Sequence, residues 1–224
     1  IGATPVPDPG RVEIRTFLDT SWLWTFSDPS FLLWNRLLSA LMGTATAGLT
    51  FLLARRIAGT CAGLLSAALL AGLGYHVVQS ALVLPNVTVG CFAVLVAWLS
   101  VRYLEDGDAG PFVLAVSVCG LAASAKYNAT VFIVVPLAAL ILRSKDDGPR
   151  RRAGLWGALV VLPPIVFLAG TPYALAEWDL FTRDVSGQAR EYFLSGHGEA
   201  TIESGMGHFW QQTETLAANL GPSV

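Results

Sequence analysis

Apolar segments dominate the chain between residues 31 and 170. We predict six helices there, at 32–53, 58–74, 82–99, 111–124, 126–142 and 153–169. About 20 helical residues cross the roughly 30 Å of hydrocarbon in a bilayer, so most of these segments can span it and 111–124 is short. The segments are apolar on all sides, which is typical of helices that face lipid or a deep core. The pattern predicts an all-α polytopic membrane helix bundle with about six spans.

Positive charges fall in alternate connections between these segments. Eight of them follow the first, third and fifth segments: Arg55, Arg56, Arg102, Arg143, Lys145, Arg150, Arg151 and Arg152. The connections in between hold only Lys126. Because short basic loops stay in the cytoplasm, this alternation predicts an orientation in a plasma (inner) membrane. Residues 1–30 are then an extracytoplasmic loop, 31–170 the transmembrane bundle, and 171–224 an extracytoplasmic loop with an amphipathic helix at 173–194.

Composition supports a membrane protein and excludes other classes. The 224 residues are 54% hydrophobic and 13% charged, whereas soluble domains carry about 25% charge. The net charge of -2 provides no basic face for nucleic acid. Cys61, Cys91 and Cys119 lie inside apolar segments without metal-ligand spacing, which predicts small buried packing residues. The chain does not begin with Met, and we expect a piece of a longer protein.

Two cations at predicted outer helix ends are candidates for binding a phosphate, because ionisable groups within membrane spans are costly. Lys126 follows a run of small residues that would let a ligand approach, and its ammonium suits a lipid-linked phosphate. Arg36 lies about one turn inside the outer end of the first segment, beside Trp34. The alternative for both is a long side chain that snorkels to the interface.

Three further polar residues lie in predicted outer regions. His76 and Asn86 bracket the second outer turn; a satisfied hydrogen-bonding group explains the histidine, and capping of the following helix explains Asn86 after Pro85. His197, in Ser-Gly-His-Gly-Glu, could bind a substrate or a metal ion. One histidine with one glutamate is weak support for a metal, and we assign no metal ligand.

Several motifs occur in an order that resembles the GT-C glycosyltransferases. That group includes the dolichyl-phosphate-mannose–protein mannosyltransferases and the bacterial aminoarabinose transferases. The resemblance covers about 33–198 and depends on order, spacing and sidedness. Its motifs are Arg36-Leu-Leu-Ser-Ala-Leu-Met-Gly with Leu53-Ala-Arg-Arg, a turn with His76, Gly120-Leu-Ala-Ala-Ser-Ala-Lys126-Tyr127, Gly170-Thr-Pro-Tyr173 and Ser195-Gly-His197.

The resemblance implies transfer of a sugar from a polyprenyl-phosphate donor to a lipid, glycan or protein acceptor outside the membrane, with inversion. Such chemistry needs a carboxylate to activate the acceptor hydroxyl and cations to hold the departing phosphate. The resemblance gives Lys126 and Arg36 the cationic role. It adds Tyr127, His76, Asn86 and His197 as substrate-binding candidates.

The chain departs from the pattern of the GT-C family at two points. The family's catalytic acidic residue follows a membrane helix that lies upstream of this chain, so we expect the fragment to be inactive alone. Asn86 stands where relatives often carry Asp, which argues against a metal or acceptor role at that position; a divalent metal is the one cofactor that the resemblance leaves open. A transporter or permease fragment is the main alternative, although transporter sites lie at mid-span rather than at helix ends. A structural subunit is the third interpretation.

Overall fold

The computed structural model describes residues 29–143 and 148–195, and this part of the chain contains helices and no strand. We number the α-helices in chain order: α1 Pro29–Ala58, α2 Thr60–Gly72, α3 Gly74–Ala81, α4 Pro85–Asp106, α5 Ala109–Ala125, α6 Val134–Arg143, α7 Pro149–Gly170, α8 Tyr173–Ala176 and α9 Trp178–Ser195. A 3₁₀ segment, Tyr127–Ile133, leads into α6. All six predicted apolar segments are helical, so the all-α class is confirmed.

Three of these helices, α1, α4 and α7, are long and apolar enough to cross a membrane. Helices α2 and α3 are bent by 62° at Leu73 and together give a fourth candidate span. Leu73 has an extended backbone and lies between two glycines, which are poor helix formers. Helix α5 and the stretch Tyr127–Arg143 are shorter apolar helices. The segments 58–74 and 126–142, predicted as single helices, are therefore each interrupted.

Helix α5 lies at the centre of the bundle, between α4 and α7, while α1 packs on α2 and α4. Tyr103, Phe112 and Leu140 are fully buried where α4, α5 and α6 meet. Two cysteines, Cys91 and Cys119, are buried as predicted, but Cys61 is exposed on α2, so the prediction of a buried Cys61 is wrong. Its helix packs on α1 with one face only, and the sequence does not reveal which face that is.

The contact between α5 and α7 is very close at Gly120. A Cβ atom on this residue would lie 2.5 Å from the carbonyl oxygen of Pro163 and 2.9 Å from Cβ of Val166. One turn further on, the Ser124 hydroxyl donates a hydrogen bond of 3.1 Å to the carbonyl of Phe167 in α7. Helix α7 is continuous through both of its internal prolines. The small residues before Lys126 thus admit a neighbouring helix.

Arginines connect four helices at one end of the bundle, which we call the basic end. Arg56 at the end of α1 forms ion pairs with Glu105 and Asp106 at the end of α4. Arg143 of α6 and Arg151 of α7 donate hydrogen bonds to backbone carbonyls at the same end of α4. The three basic connections therefore meet at one end, as the alternation of charges predicts.

The opposite end of the bundle, which we call the Lys126 end, is built from the remaining connections. It contains the end of α3, the start of α4, the junction between α5 and the 3₁₀ segment, and the short helix α8 after α7. Helix α9 follows there, so the amphipathic helix predicted at 173–194 is present, although it is divided at Glu177.

Candidate functional site

Lys126 lies at a break in the helical backbone. Its backbone is extended, which ends α5 before the 3₁₀ segment begins. The break is held by two hydrogen bonds: the Lys126 amide donates to Ala122 at 2.9 Å, and its carbonyl accepts from Ala129 at 2.9 Å. The side chain is exposed at the bundle end. An exposed ammonium on a fixed backbone is well placed to bind an anion.

A chain of polar side chains runs from Lys126 across three helices. The Lys126 Nζ atom donates to Oδ1 of Asn86 at 3.3 Å, and Nδ2 of Asn86 donates to Oε1 of Gln79 at 3.4 Å. The predicted capping role of Asn86 is wrong, because Leu84 is the N-cap of α4 and no side chain caps it. Pro85 occupies the first helical position, and the Asn86 side chain contacts Lys126 and Gln79 instead of capping the helix.

His76 lies three residues before Gln79 on α3, and is half-buried. Its Nε2 atom is 3.2 Å from the carbonyl oxygen of Gly43 in α1, so it is a hydrogen-bonded histidine, as expected. A cavity of about 210 Å³ lies beside it between α1, the bent pair and α4, and His76, Gln79 and Asn86 all contribute to its wall. Thus two candidates from separate helices, His76 and Asn86, share one cavity.

Aromatic side chains pack around Tyr127, the residue that follows Lys126. The Tyr127 and Tyr173 hydroxyls are hydrogen-bonded at 2.8 Å. Phe181 of α9 packs edge-on against Tyr127, with ring centroids 5.9 Å apart, and also contacts Phe167 of α7. These contacts join α9 to the Lys126 end. They also explain why the amphipathic helix lies against the bundle there.

A second cavity, of about 330 Å³, lies beneath these aromatic residues between α5, α7 and α9. Its wall is almost entirely apolar and includes Cys119, Leu159, Pro164 and Phe167, with Tyr127 at the side nearest Lys126. A site of this size and polarity suits a hydrocarbon chain. The Lys126 end therefore combines an exposed cation, an apolar cavity, and a smaller cavity whose wall includes His76, Gln79 and Asn86.

The other two predicted site residues are Arg36 and His197. Arg36 is exposed on α1, roughly two helical turns before Gly43, and forms no recorded contact with Lys126, Asn86 or His76 in the described part of the chain. His197 lies outside the described residues. Within 29–143 and 148–195, no three metal-ligating side chains converge.

Sequence reasoning missed Gln79 and did not assign a role to Tyr173. A signal for Gln79 was available, because residues three apart share a helix face and His76 precedes it by that spacing. For Tyr173 no local signal exists, since its partner Tyr127 is 46 positions away.

The residues brought together around Lys126 are binding groups. One ammonium, two carboxamides, an imidazole and two phenols can hold an anion and several hydroxyls. Three carboxylates, of Glu177, Asp179 and Asp184, lie in α9 or just before it, at the same end of the bundle. A carboxylate can remove a proton from an acceptor hydroxyl, but in the described part of the chain none of these three forms a hydrogen bond with Lys126, Asn86 or His76.

Comparison with known proteins yields one match. A family model described as dolichyl-phosphate-mannose-protein mannosyltransferase matches residues 32–169, more than half of the chain. The matched stretch runs from the start of α1 to the end of α7 and includes Arg36, His76, Asn86 and Lys126. No curated protein and no solved structure was found to match the chain.

Proposed function

The chain belongs to the dolichyl-phosphate-mannose-protein mannosyltransferase family, and we propose on that basis that it binds the lipid-linked donor at the Lys126 end. It is a membrane glycosyltransferase of the GT-C type, and its family implies a polyprenyl-phosphate-linked sugar donor. Membership also favours a transferase over the transporter that we considered. The finer assignments, to donor groups, acceptor and membrane side, are our proposals.

In the proposed reaction, an acceptor hydroxyl attacks the anomeric carbon of the donor sugar. The bond from that carbon to the phosphate oxygen breaks, a new bond to the acceptor oxygen forms, and polyprenyl phosphate leaves. A carboxylate accepts the proton of the hydroxyl. The negative charge grows on the phosphate as it departs, and a nearby cation stabilises it most strongly at that moment. We assign that cation to Lys126.

The observation that carries this assignment is the position of Lys126 between two different cavities. The cavity beside Tyr127 is apolar and suits the isoprenoid chain, and the smaller cavity beside Asn86 has His76 and Gln79 in its wall, which can hydrogen-bond to hydroxyl groups. In a lipid-linked sugar, the phosphate joins the isoprenoid chain to the sugar. Lys126 is exposed next to Tyr127 in the chain and, among the described residues, its side chain hydrogen-bonds to Asn86 at 3.3 Å, a long contact that a phosphate oxygen can replace.

The remaining candidates have smaller proposed roles. Tyr127 lines the apolar cavity, and His76 lines the smaller cavity beside Asn86. We propose Arg36 as a second cation near the bundle end and His197 as a contact to the acceptor. The acceptor is a lipid, glycan or protein outside the plasma membrane. We assign no described residue as the catalytic carboxylate, and we assign no metal to Asn86, because its carboxamide is neutral.

The experiment compares Lys126→Ala and Lys126→Arg in the full-length protein, with consumption of lipid-linked sugar measured in membranes. Hydrogen bonds to charged groups are worth about 1.5–3 kcal/mol, so Lys126→Ala should lower kcat/KM for the donor about 10- to 100-fold. Lys126→Arg should retain more activity because it keeps the charge. Arg150→Ala is the matched control, since it removes an exposed positive charge at the basic end. Unchanged turnover and donor affinity in Lys126→Ala would remove this residue from the site.

A further inference from the structure

Helix α9 forms one wall of the apolar cavity. Phe181 and Val185 lie four positions apart on α9, so they share a helix face, and both line the cavity together with Cys119 of α5 and Pro164 of α7. Both side chains are half-buried, whereas the other side chains that the structure describes on α9 are exposed. The cavity is therefore covered on this side by a helix that turns one narrow face to it.

The short helix α8, which precedes α9, is fixed to the bundle. Ala174 is fully buried, and Thr171, just before the helix, is buried as well. The Tyr173 hydroxyl is hydrogen-bonded to the Tyr127 hydroxyl, and the Ala174 amide donates to the carbonyl of Thr171 at 3.0 Å. These contacts hold α8 in one place at the end of α7.

Glu177 separates the fixed helix from the exposed one. Its backbone angles, φ -129° and ψ 54°, are neither those of a helix nor those of a strand. Its amide donates to Tyr173 in α8 at 2.8 Å, and its carbonyl accepts from Phe181 in α9 at 2.9 Å. The amide moves with α8 and the carbonyl with α9, so rotation about the two backbone bonds of Glu177 turns α9 without breaking either hydrogen bond. Residues at element ends that absorb such rotations act as hinges.

Apolar contacts hold α9 against the bundle. Phe181 packs on the rings of Tyr127, Phe167 and Tyr173, with centroid distances of 5.9, 6.1 and 6.3 Å. The hydrogen bonds and the ion pair formed by the described side chains of α9 stay within that helix. Elements with few buried contacts open at low free energy. Release of one aromatic ring therefore frees the helix.

We propose that α9 is a lid over the apolar cavity, hinged at Glu177 and held closed by Phe181. When the Phe181 ring leaves its partners, α9 turns away from α5 and α7, and a hydrocarbon chain enters the cavity from this side. When the ring returns, Phe181 and Val185 cover the chain. The identity of the chain, that of a polyprenyl phosphate, rests on the proposed function, whereas the hinge does not.

The movement of α9 can be measured as a distance between two spin labels in the purified full-length protein, with its native cysteines replaced. One label is attached at Asn128→Cys in the 3₁₀ segment and the other at Ser186→Cys on α9, both exposed positions. Electron paramagnetic resonance should show a second, longer distance besides that of the closed form. Phe181→Ala should raise the ratio of open to closed forms about two- to tenfold, the effect of losing one aromatic pair.

Leu175→Cys on α8 provides the matched control, because Leu175 is exposed and lies before the hinge. Its distance from the label at Asn128→Cys should stay single and should not respond to Phe181→Ala. A change in this control distance would place the motion before Glu177 and overturn the hinge. A single α9 distance that Phe181→Ala leaves unchanged would overturn the lid.

A reversible tether tests whether the lid controls entry to the cavity. Phe167→Cys and Phe181→Cys, at positions whose rings lie 6.1 Å apart, are joined by a short bifunctional methanethiosulfonate that dithiothreitol removes. The tethered protein should bind sugar-free polyprenyl phosphate more slowly, on the order of tenfold, and dithiothreitol should restore the rate. Phe181→Cys alone, treated in the same way, controls for the reagent. An equal rate before and after removal of the tether would overturn the gating role of α9.

Failure of the proposed function would have a different signature. Normal binding of polyprenyl phosphate to Lys126→Ala would overturn the phosphate role of Lys126, and no binding to any form of the protein would overturn the assignment of the chain. In both cases the spin-label distances still decide whether α9 turns about Glu177.

Discussion

Gly120→Ala is the sharpest test of how the bundle positions its site. The added Cβ would lie 2.5 Å from the Pro163 carbonyl oxygen and 2.9 Å from Cβ of Val166. Both distances are far below ordinary van der Waals contact. Because the nearest atom belongs to the backbone of α7, no side-chain rotation can relieve the clash. The two helices must move apart by an estimated distance on the order of 1 Å.

The expected loss of stability follows from two opposing effects. Inserting a methyl group into a well-packed contact costs about 1–3 kcal/mol. Alanine regains about 1 kcal/mol over glycine in a helix interior. The net loss relative to the wild type is therefore about 0–2 kcal/mol, and the loss relative to an unhindered glycine-to-alanine change is about 1–3 kcal/mol. Since α5 ends at Lys126, the same displacement should also raise the KM for the donor.

The assay is thermal unfolding of the purified full-length protein in detergent, with donor consumption measured in parallel. Gly110→Ala provides a matched control, because Gly110 lies on the same helix and a Cβ there meets nothing within 4 Å. This control should be as stable as the wild type or slightly more stable. If Gly120→Ala is as stable as Gly110→Ala, the close contact between α5 and α7 is refuted.

Two further predictions concern the Lys126 end. Tyr173→Phe removes the 2.8 Å hydrogen bond to Tyr127 and should lower the free energy of unfolding by about 0.5–1.5 kcal/mol in chemical denaturation; an unchanged value would mean that this bond does not stabilise the fold. In a cysteine-free full-length protein, Trp178→Cys should react with a membrane-impermeant maleimide added to intact cells, whereas Arg150→Cys should react only after permeabilisation. The reverse labelling pattern would contradict the proposed sidedness.

The sequence predicts a helix well where the apolar residues that define it form one continuous segment. Segments 32–53, 82–99 and 153–169 became the long helices α1, α4 and α7, because their apolar residues continue for a full membrane thickness. Segments 58–74 and 126–142 are equally apolar but are interrupted at Leu73 and by a 3₁₀ segment. Their apolar composition satisfies lipid contact with or without the interruption, so composition cannot reveal it.

Most residues of the candidate site could be predicted from the sequence, but the contacts between them could not. The sequence predicted His76, Asn86 and Lys126 as separate candidates, each because it is a polar residue at a helix end. It assigned Asn86 to capping, which concerns only its own helix, whereas the side chain in fact contacts residues of two other helices. Arg36 has the same local appearance as Lys126 but stands apart from the group.

The sequence by itself determined that this is an all-α membrane protein and that its basic connections gather at one end, because hydrophobicity and charge act on each segment separately. Only the tertiary structure decided that Lys126, Asn86 and Gln79 form one hydrogen-bonded chain with a cavity on either side of this end of the bundle. The Lys126–Asn86 contact joins residues 40 positions apart. Such contacts depend on how close α5 comes to its neighbours and on the angle at which α3 turns from α2, and these are set by side-chain packing between helices.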